Sequence, residues 1–127
     1  MGVEGEAQSQ VDLSQRGITA REAVMLSPTL KTAAGVECLK LCYNHLGDGG
    51  ARAVAAAIEG HQSLHTLDLG FNDIGDAGAA SLARSLKANS SLRTLYLSGN
   101  LIGTKGAQVL ASALGQSSGI TTLHLTV

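Results

Sequence analysis

The stretch Leu64–Ser91, LHTLDLGFNDIGDAGAASLARSLKANSS, decides how the whole chain is read, because its pattern recurs on both sides of it. Asn44, Asn72 and Asn100 are spaced 28 residues apart, and so are Gly47, Gly75, Gly103 and Gly50, Gly78, Gly106. Three registers agree on one period. A fixed period of this size marks a solenoid, in which each repeat is one supersecondary unit stacked on its neighbours.

Inside the unit, Leu67 and Leu69 are two apart, so an extended chain turns both to one face while Thr66, Asp68 and Gly70 look the other way. Asn72 ends the strand. Its amide offers two donors and one acceptor, enough to satisfy loop backbone groups that would otherwise be buried unpaired, so the stacked asparagines are expected to form a ladder. Ile74 returns to the core, and Asp76, between Gly75 and Gly78, is placed to cap the helix that follows. The period then changes. Ala79, Leu82, Ala83 and Leu86 fall on one helical stripe, with Ser81, Arg84, Ser85 and Lys87 on the wet side.

Working outward, the grid divides the chain into a tail over residues 1–7, expected to be disordered, and a repeat domain over 8–127. The domain consists of a degenerate cap at 8–35, repeats at 36–63, 64–91 and 92–119, and a partial repeat at 120–127. In the cap, Arg16 stands where the asparagine belongs, and Pro28 falls inside the expected helix, where it should bend or end it. Thr19 with Glu22 reads as a capping box, so the helix should start after Thr19. In the third repeat Ala107, Leu110, Ala111 and Leu114 take the helix-stripe positions. The strand ITTLHLTV at 120–127 is followed by no helix. The expectation is that the chain is a fragment of a longer array, or that this edge serves self-association with a second copy.

Composition narrows the function classes. A net charge of −1 argues against an electrostatic nucleic-acid or anionic-membrane surface, and no apolar run approaches the ~20 residues of a membrane span. MGVEGEAQSQ has no apolar stretch for a secretory signal, and Glu6 breaks the myristoylation pattern. Cys38 and Cys42 on one strand would lie about 13 Å apart at ~3.3 Å per residue, too far to bridge. Two free thiols suit a reducing, cytoplasmic compartment. Asn89-Ser90-Ser91 spells a glycosylation sequon but reads better as a polar helix-to-strand turn.

The pattern LxxLxLxxNxIGxxGAxxLAxAL, best matched by 64–86 and 92–114, resembles the ribonuclease-inhibitor-type leucine-rich repeats. This class is found in ribonuclease inhibitor, in the C-terminal arrays of NOD-like receptors and in Ran GTPase-activating protein. The asparagine variant and the Ile-Gly-x-x-Gly-Ala run are most similar to the NOD-like-receptor arrays. The resemblance implies an α/β solenoid, a short horseshoe arc with a parallel concave sheet and convex helices, that binds proteins on its concave face.

In a parallel in-register stack, equivalent positions form columns across that face. The central column reads Asp12, Lys40, Asp68, Tyr96, His124; the one before it Gln10, Cys38, Thr66, Thr94, Thr122; the one after it Ser14, Cys42, Gly70, Ser98, Thr126. Asp12, Lys40 and Asp68 either contact a partner or neutralise one another across strands. Tyr43 and Phe71 share a column just before the asparagines, and with Tyr96 they are all the aromatic residues of the chain. They either anchor a partner, with Arg93 as a further candidate, or pack on each other and cover the loop.

The glycine runs GDGGA, GDAGA and GTKGA match no phosphate-loop spacing, and DLGFNDIGDAGA has Ala79 where a calcium loop needs a glutamate. His45, His61, His65 and His124 show no metal-ligand spacing, and no nucleophile–base arrangement emerges. The expected function is a non-catalytic module without cofactor that binds a protein partner through Lys40, Tyr43, Asp68, Phe71, Arg93, Tyr96 and His124. The alternatives are a fragment of a larger NOD-like-receptor-type array, or, by resemblance to Ran GTPase-activating protein, a GTPase activator using Arg16.

Overall fold

Strand and helix alternate through the chain in the order β1 (Gln10–Asp12), α1 (Ala20–Lys31), β2 (Cys38–Lys40), α2 (Gly47–Ile58), β3 (Thr66–Asp68), α3 (Asp76–Ala88), β4 (Thr94–Tyr96), α4 (Thr104–Gln116) and β5 (Thr122–His124). The structure is a computed structural model that describes residues 9–116 and 119–125. The expected tail over 1–7, and Thr126 and Val127 of the last strand, lie outside the described residues.

The five strands form one parallel sheet in sequence order, and Val11, Leu39, Leu67, Leu95 and Leu123 are all in register. The columns read from the period are therefore the columns of the sheet. Pairing runs past the three-residue strands, since Leu41 N–H donates to Asp68 O, Leu69 N–H to Tyr96 O and Leu97 N–H to His124 O at 2.8–2.9 Å. Each helix packs on its sequence neighbours, α1 on α2, α2 on α3 and α3 on α4. The core lies between the two layers and is built of Leu39, Leu41, Leu67, Leu69, Leu95 and Leu97 from the sheet with Val54, Ile58, Leu82, Leu86 and Leu110 from the helices. Burying each such side chain contributes about 1.5–3 kcal/mol, before the conformational entropy lost on folding.

The asparagine ladder is present. Asn72 is fully buried; its Nδ2 donates to Leu41 O of the preceding repeat at 2.8 Å and to Leu69 O and Gly70 O of its own. Its Oδ1 accepts Leu46 N–H. Asn100 repeats the arrangement on Asn72 N–H and Ile74 N–H, and Asn44 accepts Arg16 N–H and Ile18 N–H. Arg16 thus needs no amide of its own at this position, because the next repeat supplies the acceptor.

The aspartates act one repeat further on than expected. Asp76 does not cap its own helix, whose N-cap is Gly75 without a side-chain bond. Instead Asp76 Oδ1 accepts Gly103 N–H at 2.7 Å and Gly106 N–H at 3.1 Å, at the start of α4, and Asp48 Oδ1 accepts Gly75 N–H and Gly78 N–H at the start of α3. The carboxylate comes from the first turn of one helix and reaches sideways to the next. This is why the second glycine is needed: a Cβ on Gly78 would meet Ile74 Cγ2 at 2.6 Å and Asp48 Oδ1 at 2.8 Å.

A second polar ladder runs along the helix-to-strand turns. Asn89 is buried; its Nδ2 donates to Ile58 O and His61 O, and its Oδ1 accepts Ser91 N–H and Leu92 N–H. His61, 28 residues earlier, does the same work: Nδ1 accepts Ser63 N–H and Leu64 N–H, so Nε2 carries the proton and donates to Ala33 O at 3.1 Å. The Asn89 amide is fully engaged, which agrees with the turn reading of the sequon.

Other expectations need correction. Ser85 is buried rather than on the wet side, because its position faces α2, where its hydroxyl donates to Ala55 O at 2.7 Å. Ala111 is exposed although its counterpart Ala83 is buried, since α3 has a helix on either side and α4 packs on α3. The capping box at Thr19 and Glu22 is present, but the first helix continues past Pro28 to Lys31.

Two outcomes follow from these contacts. Asp48→Ala should destabilise the fold by about 1 kcal/mol, with faster amide exchange at Gly75 and Gly78 of the next repeat; exchange changes confined to α2 would contradict the cross-repeat cap. His61→Ala should cost about 1–3 kcal/mol in urea denaturation, and His61→Asn distinctly less, because asparagine already fills this role at position 89.

Candidate functional site

Each strand must turn sharply to send its asparagine inward, and the residue before the asparagine makes that turn in the left-handed region. Gln15, Tyr43 and Phe71 all have φ of +57° and Gly99 has +73°. A residue with a Cβ pays roughly 1–2 kcal/mol there, which glycine avoids. Two of the three aromatic residues nevertheless occupy this column. Their rings stack with centroids 4.5 Å apart and planes within 4°. Phe71 in turn lies over Gly99, where an added Cβ would sit 2.4 Å from the ring. The result is a pile of Tyr43 on Phe71 on the Gly99 backbone. Stacking contributes about 0.5–1.5 kcal/mol, on the scale of the strain.

The rings pack on each other and also stay open, Tyr43 at 51% and Phe71 at 46% exposure. Phe71 has Tyr43 on one face and Gly99 on the other, so it shows ring edges, the positive end of the aromatic quadrupole.

The central column joins Lys40, Asp68, Tyr96 and His124 in register on the sheet face. Tyr96 and His124 stack at 4.5 Å and 16°. The aspartates turn along their own strands: Asp12 Oδ1 accepts Ser14 N–H and Asp68 Oδ1 accepts Gly70 N–H, both at 3.0 Å. Hydrogen bonds from Ser14, backbone first and hydroxyl second, hold the Asp12 carboxyl below its usual range, and Lys40 and Arg16 add weaker through-space attraction. Lys40 therefore does not carry the whole task of balancing them.

The remaining residues stand apart from this group. Arg93 lies at the opposite end of its strand, where its backbone N–H donates to His65 O and its carbonyl accepts Thr121 N–H and Thr122 N–H. Arg16 holds the start of the asparagine ladder through its backbone. Burial pushes the Cys38 thiol up, which keeps it protonated and a poor nucleophile, and both cysteines are free. Among the described residues no group of three or more His, Cys, Asp or Glu could hold a metal ion, and no helix is long and apolar enough to cross a membrane. Leu101, which the repeat pattern does not single out, is 69% exposed two positions after Gly99. Its signal was available, since it is the apolar member of the column Gly17, His45, Asp73, Leu101.

The repeat, the ladder and the sheet define a leucine-rich-repeat solenoid. The chain belongs to the leucine-rich-repeat family, whose profile matches residues 36–55, 60–83 and 88–111. No curated protein matches it in sequence. Among solved structures, leiomodin-1 actin-binding site 2 matches with a TM-score of 0.86 and 20% identity, over 98% of this chain and 76% of that one. At that identity the likeness is one of fold.

The strained stack makes a measurable prediction. Phe71→Gly should be more stable than Phe71→Ala by about 1 kcal/mol, and within about 1 kcal/mol of wild type, because strain relief offsets the lost stacking. Thermal unfolding of the three proteins checks the order; equal stability of the glycine and alanine variants would show that the left-handed turn carries no strain.

Proposed function

We propose that this chain is a non-catalytic protein-interaction module whose partner lies on the concave sheet face and against the aromatic rim. The observation that supports this most is the Tyr43–Phe71 stack. Two large aromatics sit half exposed on left-handed backbone where the next repeat uses glycine, a placement that core packing does not require. Strained, exposed aromatics of this kind concentrate at binding sites. The rim borders the column of Lys40, Asp68, Tyr96 and His124, and Leu101, two positions after Gly99, is a further exposed apolar side chain. Together they combine anchors with polar groups that set register. Arg93, at the far end of the sheet, would contact only a partner that spans the strands.

The 28-residue spacing and the asparagine ladder support the ribonuclease-inhibitor-type subclass, and the two free thiols support a cytoplasmic setting. The acting unit in this reading is the solenoid over 8–127. Nothing in the placement of Arg16 favours a GTPase-activating role, its backbone serving the ladder.

One fold neighbour, leiomodin-1 actin-binding site 2, carries actin binding in its name, so actin heads the partners to titrate, followed by proteins captured on the immobilised chain and identified by mass spectrometry. With the partner in hand, Asp68→Ala combined with Tyr96→Ala should weaken binding about tenfold or more while leaving the unfolding midpoint within a few degrees. Unchanged affinity would remove the concave face as the site.

A further inference from the structure

The convex surface carries a charge imbalance that the net charge of −1 conceals. Six of the nine lysines and arginines lie on helices: Arg21, Lys31, Arg52, Arg84, Lys87 and Lys105. The helices hold three carboxylates, and all three are tied to backbone. Glu22 accepts from Thr19 N–H and its hydroxyl, Asp48 from Gly75 and Gly78, and Asp76 from Gly103 and Gly106. Asp48 and Asp76 each have one carboxylate oxygen committed to the next helix start.

This matters most in the groove between α2 and α3. Arg52 from one helix and Arg84 from the other line two clefts of about 350 and 150 Å³ that share these arginines and Ser81. Alanines line the clefts beside the arginines, Ala55 buried and Ala56 and Ala77 exposed, so no bulky side chain fills the space next to them. The Ser81 hydroxyl has a long bond to Ala77 O at 3.4 Å that is readily exchanged, whereas Ser85 is committed inward to Ala55 O at 2.7 Å. Two carboxylates border the groove: Asp48 in the larger cleft, with Oδ1 occupied, and Glu59 in the smaller, at the end of α2.

We propose that this groove is a second binding site, separate from the concave face, for the phosphate dianion of a phosphorylated protein segment held by Arg52, Arg84 and Ser81. Two guanidiniums and a hydroxyl match the charge and the several acceptor oxygens of a phosphate monoester. A run of acidic side chains fits less well. It would extend along the groove and bring several carboxylates toward Asp48 and Glu59, whereas a phosphate monoester concentrates its charge on one group.

The test uses a short neutral peptide carrying one phosphoserine, its unphosphorylated twin and its glutamate twin, titrated into the isotope-labelled chain at fixed ionic strength. The phosphopeptide should give saturable NMR shifts at Gly49, Ala56, Ala77 and Ser81, with the amides of Thr94 and Tyr96 on the sheet unmoved. The glutamate twin should bind severalfold more weakly, and Arg52→Gln or Arg84→Gln should weaken the phosphopeptide about tenfold. Both arginines are exposed, and the unmoved sheet amides report that the variants fold. Equal shifts from the unphosphorylated twin, equal affinity for the glutamate twin, or full binding by either arginine variant would each overturn the proposal. None of these outcomes depends on whether the concave face binds anything.

Discussion

A buried amide in every turn is the constraint on which this structure depends. Each repeat must leave its strand, turn and enter a helix within a few residues, and the turn lies against the core, where water cannot satisfy its backbone. Asn44, Asn72 and Asn100 resolve this by donating to carbonyls of their own and the preceding repeat while accepting amides from the preceding repeat. An amide does what neither a carboxylate nor a hydroxyl can do there, because it supplies two donors and an acceptor without a charge. The asparagine also fixes the residue before it, which must adopt the left-handed turn that Tyr43 and Phe71 occupy. Site and scaffold thus share one backbone requirement.

The same logic of satisfying a neighbour recurs twice more, and each time it crosses a repeat boundary. Asp48 and Asp76 cap the helices after their own, and Asn89 and His61 bond carbonyls of the repeat before theirs. Few of these polar contacts are complete within one repeat. Stability in such a stack resides in interfaces between units, so that a substitution is felt next door as much as locally.

The period made the sheet legible. Once asparagines and glycines fix a 28-residue grid, strand pairing and the columns of the concave face follow without knowledge of side-chain positions, and the observed register from Gln10–Cys38 to Tyr96–His124 is that grid. What the grid could not supply was direction across repeats. Asp76 reads as a local cap because it precedes a helix, and only the stacking geometry shows it lying closer to the next helix start. Ser85 fails for a related reason: a single helical stripe assumes one buried face, whereas an inner helix is covered by the sheet and by adjacent helices. His61 was hidden because imidazole and amide look unrelated as letters, though their donor and acceptor geometry here is interchangeable. The stacking of Tyr43 on Phe71 could be proposed from the column but not decided, since exposure and mutual packing are both available to a ring on a left-handed residue.

The two faces of the solenoid differ electrostatically for a reason that lies in the fold itself. Joining repeats through aspartate caps draws Asp48 and Asp76 onto backbone N–H groups of the next helix start, and the six lysines and arginines on the helices outnumber the three helix carboxylates. On the concave sheet the aspartates are likewise bonded to backbone, but Lys40 lies between Asp12 and Asp68, and the column ends in the stacked rings of Tyr96 and His124. The concave face is therefore polar and aromatic, and the convex face cationic, although the chain as a whole is nearly neutral. A repeat protein built this way gains a second recognition surface as a by-product of how its repeats are joined, and the groove between Arg52 and Arg84 is where that by-product is most concentrated.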